Sequence, residues 1–116
     1  MAKYSLVLRD PGNSFADLSP AEMQAIVQRY TSWREGVQKA GKFVGSQKLR
    51  DGSGRIVRRS NGRVMVSDGP YTEGKEVIGG LFVIEAGSYD EALAIANDCP
   101  HLEFGSVEVR EVEIFR

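Results

Sequence analysis

A chain of 116 residues with 41% hydrophobic and 27% charged content has the composition of a folded globular protein and the length of a single domain, 1-116. Its lone cysteine, Cys99, excludes an internal disulfide, and with no second cysteine and no histidine cluster beside it no metal site is expected. A formal net charge of −1 denies the chain the broad basic surface on which direct nucleic-acid binding depends.

The first strand is predicted over residues 3 to 9, with Leu6 and Leu8 on one face and Val7 on the other. The apolar stretch before Arg9 is too short for a signal peptide or a membrane span, which predicts a cytoplasmic protein without membrane contact. Asp10-Pro11-Gly12-Asn13-Ser14 reads as a loop of turn formers. Ser19-Pro20-Ala21-Glu22 then forms a capping box with proline preset at the first helical position. From it Met23, Ile26, Val27, Tyr30, Trp33 and Val37 recur at three- and four-residue steps as one apolar stripe, which Gly41 ends.

A second strand is expected from Phe43 to Leu49. Arg55 to Arg59 and Arg63 to Ser67 form a hairpin around Asn61-Gly62, the pair that supplies two positive φ angles. Residues 42 to 63 carry seven basic side chains against Asp51, whereas residues 68 to 113 carry eleven acids against Lys75 and Arg110. An anion-binding patch and a solvated basic edge that discourages aggregation both fit this run; the neutral overall balance favours the edge. Val77 to Ile84 is apolar at consecutive positions, as a strand buried on both faces requires. Ser88-Tyr89-Asp90-Glu91 reads as a second capping box, opening a helix that buries Ala92, Ile95, Ala96 and Cys99 and stops at Pro100. The last strand starts at Ser106, and a bulge or a bend near Arg110-Glu111 would reconcile Val107 and Val109 with the opposite parity of Val112 and Ile114.

Strand, helix, strand, hairpin, strand, helix, strand is an α+β order, the ferredoxin-like split β-α-β sandwich with an inserted β-hairpin. Both helices then cover one sheet face, and central strands that are apolar on both sides require a cover for the other, for which an identical subunit is the simplest choice.

Asp68-Gly69-Pro70-Tyr71, the following Gly79-Gly80, Cys99-Pro100 and the terminal Gly105 to Arg110 resemble the YCII-related family. The closest likeness is to the branch with an Asp-Gly-Pro-Phe signature, Tyr71 standing for the phenylalanine. The resemblance implies the same fold and a homodimer with sheets packed face to face, a dimeric α/β barrel-like assembly. It also implies an Asp–His active site, although the relatives place the histidine in the first helix and this helix has none.

Topology puts the exits of the first strand and second helix at the sheet edge that carries the Asp68 loop. Asp68 and His101, the single histidine, are therefore the candidate catalytic pair. Arg9, Gly69, Pro70 and Tyr71 are the candidate ligand contacts. The competing readings make Asp68 a turn former and His101 a surface loop residue. No phosphate-binding glycine loop, serine elbow or paired-cysteine motif is present, and no cofactor is expected. Two functions follow: a cofactor-free small-molecule enzyme with lyase- or isomerase-like proton transfer, or a non-catalytic ligand-sensing or interaction module linked to sigma-factor and transcription regulation, as the resemblance suggests.

Overall fold

A computed structural model describes residues 1–69 and 76–114. Strand β1, Ala2–Asp10, alternates buried Tyr4, Leu6, Leu8 and Asp10 with half-buried Ser5, Val7 and Arg9, so one face of the strand turns to the core and the other stays open. Helix α1, Pro20–Lys39, begins at the predicted capping box: the Ser19 hydroxyl accepts from the Glu22 amide at 3.1 Å while the Glu22 carboxylate accepts from the Ser19 amide at 3.0 Å. Strand β2, Phe43–Lys48, follows after Gly41 takes a left-handed φ of 74°.

The hairpin comprises β3, Arg55–Ser60, and β4, Arg63–Asp68, with Asn61 and Gly62 at φ 52° and 78°, the pair of positive angles that its sequence predicts. It forms a separate two-stranded sheet. Strand β5, Val77–Ala86, returns to the main sheet, followed by helix α2, Tyr89–Asn97, a 3₁₀ turn, Pro100–Glu103, and strand β6, Ser106–Glu111.

The four-stranded sheet has the order β2-β5-β1-β6, all neighbours antiparallel, with the apolar β1 and β5 at its centre. Leu6 and Ile84 are fully buried there, each removing enough apolar surface from water to stabilise the fold by about 2 kcal/mol. Trp33 of α1 meets Phe82 edge to face at 4.9 Å and donates its indole N–H to the Ile95 carbonyl of α2 at 3.2 Å, tying both helices to the same sheet face. No helix among the described residues is long and apolar enough to cross a membrane.

Two local expectations are corrected. The β1–β6 pairing runs from Ser106 to Glu111 without a register shift, which excludes the bulge but not the bend: the strand ends at Glu111, and the Val112 amide still donates to the Lys3 carbonyl at 2.8 Å. At α2 only half of the second capping box forms: the Ser88 hydroxyl accepts from the Glu91 amide at 3.2 Å, while the Glu91 carboxylate turns to Lys42 at 2.5 Å. A full charge on the ammonium outbids a backbone amide for that carboxylate.

Candidate functional site

Helix α1 stands off the sheet at its amino-terminal half. Val37, near its other end, is its one buried residue, and Val27 is 49% exposed. Between the helix and strands β1, β2 and β5 lies a cavity of about 310 Å³. Its walls are largely apolar, with Leu8, Phe15, Met23, Val27 and Phe82 among the lining side chains. Phe15 reaches it from the loop after β1, which is pinned by a tilted contact with Phe104 at 5.0 Å and by the Ser14 hydroxyl donating to the Phe104 carbonyl at 3.4 Å.

Three polar side chains meet in the wall of this cavity: Asp10 at the end of β1, Tyr30 in the middle of α1 and His101 in the 3₁₀ turn. His101 is 2% exposed. Its Nε2 lies 2.8 Å from the Arg9 carbonyl and its Nδ1 lies 2.9 Å from the Tyr30 hydroxyl. A carbonyl can only accept, so Nε2 carries the proton; in the neutral ring Nδ1 is then the acceptor and Tyr30 the donor. Burial pushes the Tyr30 hydroxyl well above the ordinary phenol value of 10.0, with the nearby Cys99 and Asp10 adding to the effect. Tyr30 is therefore a neutral donor at physiological pH.

Asp10 is 6% exposed. Its Oδ1 accepts from the Gly12 amide at 2.7 Å, the Asx-type bond that closes the turn, while Oδ2 stands 3.9 Å from His101 Nε2, too far for a hydrogen bond. A Cβ at Gly79 would sit 3.1 Å from Oδ2, so the absence of a side chain there leaves room beside that oxygen. A buried carboxylate with one oxygen that makes no hydrogen bond among the described residues, a neutral phenol and an imidazole of fixed tautomer can together take a proton from a bound molecule and steady the oxygen on which charge develops.

The sequence-predicted site residues fall into different places. His101 is in the cavity wall, and the reading of it as a surface loop residue is corrected by its burial: the 3₁₀ turn after Pro100 swings the ring inward, where Tyr30 and the Arg9 carbonyl hold it. Asp68 ends β4 with its side chain 91% exposed and 3.6 Å from the Arg55 guanidinium, and within this chain Asp10, not Asp68, stands beside His101. Gly69 donates its amide to the Gly54 carbonyl at 2.9 Å and packs against that backbone. Arg9 points to the open sheet face, where Nε and Nη2 donate to one Glu108 oxygen at 3.1 and 3.0 Å; only its carbonyl reaches the site. Pro70 and Tyr71 lie outside the described residues.

In the sequence Asp10 reads as a turn former and Tyr30 as core or pocket wall on the apolar stripe, neither as a chemistry-bearing residue. The parity of Asp10 with Leu6 and Leu8 was the available signal for the first, since it places the carboxylate on the helix-covered face. Cys99 is 3% exposed and burial pushes its thiol up, so it stays protonated in the core. Among the described residues no cluster of three or more His, Cys, Asp or Glu side chains could hold a metal ion.

Comparison with known proteins adds three findings. The family model described as YCII-related domain matches residues 2–116. An uncharacterized protein of Rhizobium meliloti (strain 1021) is 39% identical over 62 residues, 52% of this chain, and the match spans about half the length of that relative. The solved structure of 5-chloro-2-hydroxyhydroquinone dehydrochlorinase (TftG) from Burkholderia phenoliruptrix AC1100, in complex with 2,5-dihydroxybenzoquinone, superposes with a TM-score of 0.50. It covers 96% of this chain and 93% of its own at 15% identity, a likeness of fold.

Proposed function

The chain belongs to the YCII-related family, and we propose that it is a cofactor-free small-molecule enzyme whose chemistry is proton transfer in the cavity under α1. The observation that carries this reading is the buried Tyr30–His101–Asp10 constellation in the wall of a largely apolar cavity large enough for a single-ring compound. Asp10 Oδ2 takes a proton from a carbon next to a carbonyl group of the substrate. The Tyr30 hydroxyl, whose one hydrogen otherwise rests on His101 Nδ1, turns to donate it to the carbonyl oxygen as that oxygen gains charge. Return of the proton to another carbon gives an isomerase, and departure of a leaving group with its electron pair gives a lyase. The dehydrochlorinase named above is a fold neighbour that handles a small ring compound, which favours this class without naming a substrate here.

The proposal gives the carboxylate role to Asp10 in place of Asp68. It also retains the homodimer. Val7, Leu81 and Val83 lie half-buried on the sheet face turned away from both helices, the surface that a second copy would cover in a face-to-face, barrel-like pair.

The test is deuterium incorporation from D2O into a panel of enolisable lactones and cyclic ketones, with 2,5-dihydroxybenzoquinone as a binding probe. Incorporation by the native chain that is lost in Asp10→Asn and kept in Asp68→Asn supports the assignment. Loss in Asp68→Asn with incorporation kept in Asp10→Asn returns the role to Asp68. Binding that moves the His101 ring signals without any incorporation makes the chain a ligand-sensing module instead, and no binding by any compound overturns the reading.

A further inference from the structure

The proposed cavity also contains a charge that the proton-transfer scheme leaves unused. Met23, Val27, Tyr30 and Arg34 follow one another on α1 at spacings of four, three and four residues, and all of them line the cavity, as helical neighbours on one stripe should. Arg34 is half-buried. Other cations have partners: Arg9 pairs with Glu108, Arg29 with Glu103, Lys42 with Glu91, and Lys48, which also lines the cavity, with Asp51. Arg34 has no ion pair or hydrogen bond to another side chain among the described residues. A guanidinium against apolar walls that pairs with no carboxylate among the described residues is a ready partner for an anion, and its planar fork favours a carboxylate over a point acceptor.

Resting on the cavity reading above, we infer that Arg34 is the anion-pairing residue of the site and that its ligand is a small monocarboxylate with an apolar body. One helical turn separates Arg34 from Tyr30, placing their Cβ atoms about 6 Å apart. A ligand carboxylate held by Arg34 therefore leaves the next few atoms of the molecule opposite Tyr30 and Asp10. The reverse orientation would press the ligand carboxylate against the buried Asp10 carboxylate, a repulsion that the low-polarity walls amplify. Charge thus fixes the direction in which the molecule lies, and Phe15, Val27 and Phe82 accept its apolar part. Lys48, the other cation in the cavity wall among the described residues, pairs with Asp51 and the Leu49 carbonyl.

The experiment compares benzoate with its neutral isostere benzamide on the whole chain, by calorimetric or NMR titration, with the ring resonances of the single histidine reporting where each binds. Native protein is expected to bind benzoate roughly tenfold or more tightly than benzamide, the step that one charge-assisted pair supplies. Arg34→Met should remove that preference while leaving benzamide affinity and thermal melting unchanged, and Arg34→Lys should keep part of it. Equal affinities for the two compounds on native protein, both moving the His101 signals, would overturn the role of Arg34 and leave the cavity reading standing, as would a benzoate preference that survives Arg34→Met. If neither compound binds, or neither moves the His101 signals, the cavity reading fails and this inference fails with it.

Discussion

Gly105→Ala is expected to damage fold and site together. Gly105 joins the 3₁₀ turn to β6 directly beneath β1, and a Cβ placed on it would lie 1.8 Å from the Arg9 carbonyl oxygen and 2.9 Å from both the Arg9 carbonyl carbon and the Asp10 Cα. A carbon and an oxygen normally approach no closer than about 3.3 Å, so the two backbones must part by ~1.5 Å. Neither neighbour is a flexible side-chain end. The Arg9 carbonyl is also the oxygen that accepts from His101 Nε2 at 2.8 Å, and the Gly105 amide donates to the His101 carbonyl at 3.0 Å. A shift of that size carries the imidazole hydrogen bond past its useful range. Overpacking of this severity costs about 3 kcal/mol, which for a domain of this length lowers Tm by ~10 °C. Gly45→Ala is the matched control, since a Cβ there meets nothing within 4 Å. Calorimetry or circular-dichroism melts measure both. A Gly105→Ala protein that melts within about 2 °C of the control, where surface changes normally fall, with its histidine ring signals unchanged, would refute the reasoning.

Tyr30→Phe removes the donor to His101 Nδ1 and should cost about 1 kcal/mol of stability in denaturant titration, while lowering deuterium incorporation more than probe binding; an unchanged exchange rate would take Tyr30 out of the mechanism. Hydrogen bonds from Ser19, Lys42 and Arg29 hold the carboxyls of Glu22, Glu91 and Glu103 below the ordinary 4.5. Their stabilisation is therefore present above that value and lost as pH falls through the lower folded values. The urea midpoint should drop between about pH 5 and about pH 3, and the triple Glu→Gln variant should show a shallower drop. Val83→Asp, on the sheet face away from the helices, should convert a dimer to a folded monomer in sedimentation, whereas a native chain that is already monomeric at micromolar concentration would remove the proposed pairing.

The framework was legible because it is written in local chemistry. Ser19 to Glu22 marks where α1 starts, Asn61-Gly62 marks the hairpin, and the unbroken apolar run of β5 marks a central strand. The site was only half legible, since its geometry is set by contacts between residues up to 92 positions apart. His101 stood out as the only group of its kind, but its partners could not be read from its neighbours in sequence. Asp10 precedes Pro11-Gly12 and so looks like a turn former, which it is through Oδ1; its second role depends on the burial that α1 and the 3₁₀ turn impose on Oδ2. Asp68 carried the most recognisable motif, yet its side chain faces solvent beside Arg55. A motif marks which residues recur together; which carboxylate reaches the imidazole is decided by the turn that aims the ring.

The most direct measurement on the central claim is the tautomer of His101, read from long-range proton–nitrogen correlations in protein labelled with ¹⁵N-histidine. With one histidine in the chain the spectrum holds a single ring. The arrangement predicts a ring that carries its hydrogen at Nε2, slow hydrogen exchange at that nitrogen, and movement of the Nδ1 resonance both in Tyr30→Phe and when a cavity ligand is added. A rapidly exchanging mixture of tautomers, unaffected by Tyr30→Phe or by any ligand, would contradict it.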